Sequence, residues 1–297
     1  MLLEKPIPLS YVFNKVKYNL VTIVLVSATV HFTSARFQHL LPVMPPTIPG
    51  FIGTAISVLL SFKIGQSYDR WWEARKVWGS IVNDSRSLVI QLLSLASDGN
   101  DKAIRQIAHR QIAWCYCLGQ SLRGLPATEN LAHLLTPADL EELDEHSNKP
   151  LALLNMHSRD VKALRRQDQL ELFAQVQIDS TLVRLCEAQG RAERIKSTVF
   201  PVTYRAYLHV VIYLFVVCLS LSLKDMEFVF ELPLLLSLSI SFFLLENSAT
   251  HMQDPFQNRP TDTAVTAIAR TIEINLRQLL KETDVPKPWP PQAYYLS

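Results

Sequence analysis

The sequence predicts an all-α integral membrane protein with four transmembrane helices and a large cytosolic helical domain. Several long apolar stretches lack charge, and each approaches the roughly 20 residues that a helix needs to cross a bilayer. The 297 residues include only 8 glycines, which is typical of helical proteins. Lysine and arginine cluster on one side of the apolar stretches, and this asymmetry indicates a direction of insertion.

The apolar stretches fall into two pairs. They are residues 18–35, 37–62, 206–223 and 228–245, in which Glu231 is the single residue among Asp, Glu, Lys and Arg. We therefore predict two transmembrane hairpins, within residues 18–67 and 204–247. Four prolines in ARFQHLLPVMPPTIP (residues 35–49) stop the helix and turn the first hairpin. The segment KDME turns the second.

Basic residues near the hairpins indicate their orientation. The two short turns hold only Arg36 and Lys224. The opposite flanks hold Lys5, Lys15, Lys17, Lys63, Arg70, Arg75, Lys76, Arg191, Arg194, Lys196 and Arg205. The N-terminal segment (residues 1–17), the helical domain (residues 68–203) and the C-terminal helix and tail (residues 248–297) are therefore predicted to be cytoplasmic. A soluble protein with buried hairpins is the alternative, which the flank bias disfavours.

Helical periodicity continues through the polar region. Apolar residues recur every three or four positions over residues 83–122. The segment GNDKAIRQ (residues 99–106) predicts a break and a restart within that range. A charged helix is predicted over residues 161–196, leading to the third apolar stretch.

Capping residues predict the start of two further helices. In TPADLEELDEH, Thr136 is suited to the N-cap and Pro137 to the first helical position. A last amphipathic helix is predicted over residues 261–282, with Thr261 or Asp262 as its cap. The proline-rich tail that follows is predicted to be extended.

Most chemistries lack a motif in this sequence. The 29 basic and 27 acidic residues give a net charge of +2, which argues against a nucleic-acid partner. GxGxxG, phosphate-loop, GxSxG and HExxH motifs are absent, so we predict no cofactor, no metal site and no catalytic residue. The four cysteines lack CxxC spacing and are predicted to be reduced, with WCYC (residues 114–117) in a helical core.

Some ionisable residues lie in or near the apolar stretches. His209 and Glu231 occupy positions where ionisable groups are costly, and such groups mark a pore or a partner between helices. Glu231 is close to the outer turn, so an interfacial position explains it equally well.

Residues 68–79, YDRWWEARKVWG, carry a specific signal. The second apolar stretch runs into them without a helix breaker, and NDSRS follows. With RQIAWCYCLGQSLR, ERIKSTVFPVTYRAYLHVVIYLF, MQDPFQ and TIEINL in this order, the sequence resembles the bestrophin family, in particular its bacterial branch. Relatives carry LEDPFG where this chain has MQDPFQ. The resemblance covers nearly the full chain.

The resemblance implies a homopentameric ion channel in a bacterial inner membrane. Its partners would be further copies of the same chain, membrane lipid and monovalent ions. In this family the second transmembrane helix lines a hydrophobic neck, which corresponds here to Thr54, Val58 and Phe62. A second constriction in the cytosolic domain corresponds to Phe173. Animal relatives are calcium-activated anion channels, and a bacterial relative is similar to a cation channel. The resemblance therefore leaves both chloride-type anions and sodium-type cations open.

The residues agree with a neck, although another interpretation exists. Thr54, Val58 and Phe62 repeat every four residues and share one helix face. Rings of Val58 and Phe62 would make a dry constriction, with a wetter outer end at Thr54. Alternatively, this face packs against another helix, and Phe173 is a core contact.

The tryptophan-rich segment is a predicted structural anchor of the neck helix. Trp71 and Trp72 fall where the helix leaves the bilayer, a depth that suits indole rings. Arg70, Glu73 and Arg75 are expected to pair within and between subunits.

The calcium clasp of animal relatives is degenerate here. In DPFQNRPTD only Asp254 and Asp262 are acidic, and Arg259 repels a cation. Calcium prefers several oxygen ligands, commonly more than one carboxylate. We expect no calcium activation.

Two other functions are compatible with the composition. A membrane-anchored signalling or scaffold protein would bind a partner through the helical region of residues 63–205. A membrane enzyme acting on lipid is disfavoured because no acid–base or metal cluster is evident.

Overall fold

The computed structural model describes residues 6, 8–37, 44–97, 99–198 and 201–296. Within these residues the chain forms nine α-helices and no strand beyond two isolated bridges. The helices are α1 (Leu9–Arg36), α2 (Thr47–Leu95), α3 (Asp101–Arg123), α4 (Pro137–Asp144), α5 (Lys149–Arg166), α6 (Leu172–Ser197), α7 (Val202–Ser222), α8 (Phe228–Gln253) and α9 (Val265–Leu279).

Helices α1, α2, α7 and α8 are long and apolar enough to cross a membrane. The predicted all-α class with four spans is thereby confirmed. The predicted first turn lies partly outside the described residues, at positions 38–43, and so does much of the N-terminal segment, at positions 1–5 and 7. Helix α2 has 49 residues and continues from the apolar stretch through the tryptophan-rich segment without interruption.

The chain divides into two compact units. The apolar unit comprises the described residues of Lys5–Arg70 and Val199–Gln253, and the polar unit comprises those of Trp71–Thr198 and Asp254–Ser297. Helix α2 contributes to both units. The assignment of the apolar unit to the bilayer and of the polar unit to the cytosol stays a prediction.

One side of α2 forms the core of the apolar unit together with α1, α7 and α8. Ile56 and Leu60 of α2 are fully buried in one cluster with Leu208 and Phe243. Gly53 allows this close approach, since a Cβ atom there would lie 3.3 Å from the Phe215 ring. Burial of these side chains fixes which face of α2 turns toward α7 and α8.

Helix α3 lies at the centre of the polar unit, against α5, α6 and α9. Trp114, Cys115 and Cys117 are fully buried in its core, which confirms the predicted position of WCYC. All four cysteines have free thiols. Burial raises the pKa of both the Cys115 and the Cys117 thiol to about 12.

Local signals placed some helix ends correctly. Thr136 caps α4 in a capping box with Asp139, as the sequence predicts, and Pro137 is the first helical residue. The break and restart predicted within residues 99–106 begin earlier than predicted, since α2 ends at Leu95 and α3 starts at Asp101.

Two helix predictions were wrong. The range 161–196 is not one helix, because Asp168 adopts a left-handed φ of 54° and separates α5 from α6. The last helix begins only at Val265, and no side chain caps it. Asp262 does not cap this helix, because its Oδ2 accepts hydrogen bonds from the backbone N–H groups of Gln257 and Arg259 at 2.6 and 3.1 Å.

Candidate ion pathway

The face of α2 that carries the predicted neck residues is exposed. Val58 is 50% and Phe62 66% exposed, and Thr54 is exposed one turn earlier. On the opposite face Ile56 and Leu60 are buried. Among the described residues, no helix of the same chain covers the Thr54–Val58–Phe62 face, which we call the open face of α2.

The open face carries hydroxyl groups and small residues but no charge. The Thr54 hydroxyl donates to the carbonyl oxygen of Gly50 at 3.0 Å, and that of Ser57 donates within α2 in the same way. Because these hydroxyls are bonded to their own helix, they present little free polarity. The face also exposes Gly50, Ser57, Ser61 and Gly65, and small residues let helices approach closely within a membrane.

Lys63 points away from the open face. Its Nζ lies 2.7 Å from Glu246 Oε1 and donates to the Thr250 hydroxyl at 2.9 Å. Neither side chain of the Lys63–Glu246 pair is exposed to solvent. The sequence singled out Lys63 only as a flanking basic residue, and no local signal marked Glu246 as its partner on α8.

Glu246 lies among further basic side chains of α7. His209 Nε2 is 3.1 Å from Glu246 Oε2, within ion-pair distance although not aligned for a hydrogen bond. Arg205 is 3.8 Å from Glu246 Oε1. His209 therefore serves as a partner between helices, one of the two roles that its position indicated.

Glu231 is fully buried near the start of α8, and its position relative to the membrane interface stays a prediction. The Ser220 hydroxyl donates to its Oε1 at 2.7 Å, and His31 Nδ1 lies 3.0 Å from its Oε2. This cluster joins α1, α7 and α8 through polar contacts.

Phe173 lies at the start of α6 and is 84% exposed. It does not contribute to the core of the described residues, which makes it available to a neighbouring chain. Its role as a cytosolic aperture stays a prediction.

The tryptophan-rich segment makes contacts that stabilise the polar unit. Trp71 Nε1 donates to the Thr261 carbonyl oxygen at 3.2 Å, and the rings of Trp71 and Trp72 stack with centroids 6.2 Å apart. Glu73 forms an exposed ion pair with Lys76 at 2.6 Å. Arg70 and Arg75 are half-buried on α2, and pairing between subunits stays a prediction.

The predicted remnant of a calcium clasp contains one deeply buried carboxylate. Asp262 is 3% exposed, whereas Asp254 is half-buried. Burial raises the pKa of Asp262, although the hydrogen bonds that its carboxylate accepts from backbone N–H groups lower it. Within the described residues, no group of three or more His, Cys, Asp or Glu side chains is arranged to hold a metal ion.

These observations describe an integral membrane protein of α-helices in which one face of a long helix is open. Residues 6–278 match the model of the bacterial/fungal bestrophin family. The chain belongs to this family.

Individual relatives agree over most of their length. The chain is 30% identical over 285 residues to a protein of Escherichia coli K12 named voltage-dependent anion channel-forming protein YneE, covering 96% of this chain and 93% of that one. It is 29% identical to the Mesorhizobium japonicum protein mll4386 of the same description, covering 91% and 86%. A bacterial bestrophin homolog from Klebsiella pneumoniae superposes with a TM-score of 0.84 at 25% identity, covering 90% and 99%.

Proposed function

We propose that this protein is an ion channel in which five copies surround a pore lined by the open face of α2. The exposure of Val58 and Phe62 opposite a buried face carries this proposal. The protein would act in a bacterial inner membrane, with both termini cytoplasmic and with its own copies, lipid and small monovalent ions as partners. The relatives named as channel-forming proteins support the same function.

The open face differs from a face adapted to lipid. Helix α7 exposes the bulky side chains Val210 and Leu214, as expected next to acyl chains. The open face instead mixes Val58 and Phe62 with small and hydroxyl residues. Such a surface suits close approach to a second copy of α2 around an axis.

Rings of Val58 and Phe62 would block ions by excluding water until the neck widens. Lys63 adds no charge to this neck, because it is turned away and paired with Glu246. The neck therefore favours neither sign of ion, while the names of the relatives favour anions. The exposed Phe173 side chains of the five copies would form a second ring in the cytosol.

The test is ion conduction by purified protein in planar bilayers under a salt gradient. We expect currents whose reversal potential identifies the permeant ion, and a larger conductance after Val58→Ala or Phe62→Ala because each widens the neck. Val210→Ala and Phe230→Ala are matched controls, since these side chains are 65% and 63% exposed on other helices.

Two results would contradict the proposal. Protein that stays monomeric in lipid and carries no current would favour the scaffold alternative. If the neck variants and the α7 and α8 controls changed the conductance equally, the open face of α2 would not line the ion pathway.

A further inference from the structure

A cavity of about 320 Å³ lies in the polar unit, remote in sequence from the neck residues. Gln120 and Arg123 at the end of α3 form one wall. Arg259 and Asp262, in the loop before α9, form another, and Trp289 of the C-terminal tail contributes to a third.

Three lining side chains have buried oxygen atoms that lack hydrogen-bond partners among the described residues. They are Asp262 Oδ1, Gln120 Oε1 and Thr263 Oγ1. Asp262 is 3% and Thr263 1% exposed. A buried acceptor without a donor costs free energy, so this wall suits a ligand that donates hydrogen bonds.

Two guanidinium groups line the same cavity. Arg123 donates to the Thr266 hydroxyl at 2.6 Å, and burial lowers the pKa of Arg123 to about 10 while the charge of Asp262 opposes that shift. In the part of the chain that the structure describes, the hydrogen bonds that the Asp262 side chain accepts come from the backbone N–H groups of Gln257 and Arg259, and neither guanidinium group donates to it. Opposite charges therefore share one cavity without contact.

This arrangement does not suit a lone metal cation. One carboxylate supplies fewer charged ligands than calcium sites commonly have, and two arginines repel a cation. A lone anion is matched by the arginines but faces Asp262. A molecule with both charges satisfies both walls.

We propose that this cavity binds a small zwitterion that carries a primary ammonium and a carboxylate, the chemical class of amino acids. The ammonium donates to Asp262 Oδ1 and Gln120 Oε1, and the carboxylate accepts from Arg123 and Arg259. At about 30 Å³ per water-sized group, the cavity holds about ten such groups. This site does not depend on the proposed channel activity.

Calorimetry on the full-length protein in detergent tests the site without any current measurement. The probes are glycine, β-alanine and 5-aminopentanoate, which vary the separation between the two charges, with propylamine, propionate and calcium chloride as comparisons. We expect millimolar or tighter binding of at least one zwitterion. Propylamine and propionate should bind about tenfold or more weakly, because each meets only one wall.

Variants assign the binding to the cavity. Asp262→Asn and Arg123→Gln should each weaken binding of the best zwitterion by about tenfold or more. Asp168→Asn is the control, because the Asp168 side chain is 94% exposed and outside the cavity. Size-exclusion and melting profiles report whether each variant folds, and Arg123→Gln remains informative if Asp262→Asn does not.

Four results would overturn the proposal. They are absence of binding by all three zwitterions, binding that neither variant weakens, propionate binding as tightly as the zwitterions, and calcium binding that Asp262→Asn abolishes. Currents in planar bilayers with no zwitterion binding would overturn this inference while leaving the channel intact.

Discussion

Removal of one partner of the Lys63–Glu246 ion pair should destabilise the apolar unit strongly. Both side chains are inaccessible to solvent and lie 2.7 Å apart. Loss of one partner from such a pair costs about 3–5 kcal/mol because the other charge stays buried. Lys63→Met should fall near the lower value, since His209 and Arg205 still face Glu246.

Glu246→Gln should cost more than Lys63→Met. The Lys63 ammonium would keep only the Thr250 hydroxyl and the new amide as described neighbours. The double variant Lys63→Met/Glu246→Gln should recover much of the loss, because it leaves neither member of the pair as a buried charge without its partner. The two changes should then be coupled by about 2 kcal/mol or more.

Unfolding by SDS in mixed micelles measures the three free energies. The exposed pair Glu73–Lys76 is the control, with side chains 39% and 57% exposed, and its double-mutant cycle should give a coupling below about 1 kcal/mol. Strictly additive losses for Lys63 and Glu246 would refute the reasoning, since they would show that neither charge depends on the other.

Three further outcomes follow from single residues. Phe173→Ala should raise single-channel conductance if Phe173 narrows the pathway, and an unchanged conductance would remove it from the pathway. Burial and the charge of Arg110 lower the pKa of His157 to about 3. The unfolded chain therefore binds more protons than the folded chain between about pH 3 and 6.5, so the free energy of unfolding should fall as pH falls, by about 5 kcal/mol at most. Chemical denaturation at pH 7 and at pH 4 measures this difference, and His157→Leu should make it smaller. At pH 7.5 a maleimide should label exposed Cys186 but neither Cys115 nor Cys117 before unfolding, because only Cys186 of these three is accessible.

Charge and periodicity predicted most of the fold. The charge-free stretches identified all four apolar helices because a bilayer span requires a long run without charge. The missing breaker before Trp71 predicted the continuity of α2, and Thr136 predicted the start of α4 because its capping box is local.

Contacts between distant residues could not be predicted. The direction of Lys63 depends on Glu246, 183 residues further along the chain. The division between α5 and α6 depends on one left-handed residue, Asp168, and on an isolated bridge between Ala96 and Leu170. The neck residues were identified by resemblance, since spacing alone does not distinguish a pore from a helix contact.

Accessibility of introduced cysteines tests the central claim most directly. In a Cys186→Ser background, we expect a charged thiol reagent to reduce the current through Val58→Cys, because each adduct places charge in the neck. The current through Val210→Cys should stay unchanged, because Val210 is exposed on α7 instead. An unaffected Val58→Cys current, or equal inhibition of both variants, would show that ions do not pass along the open face of α2.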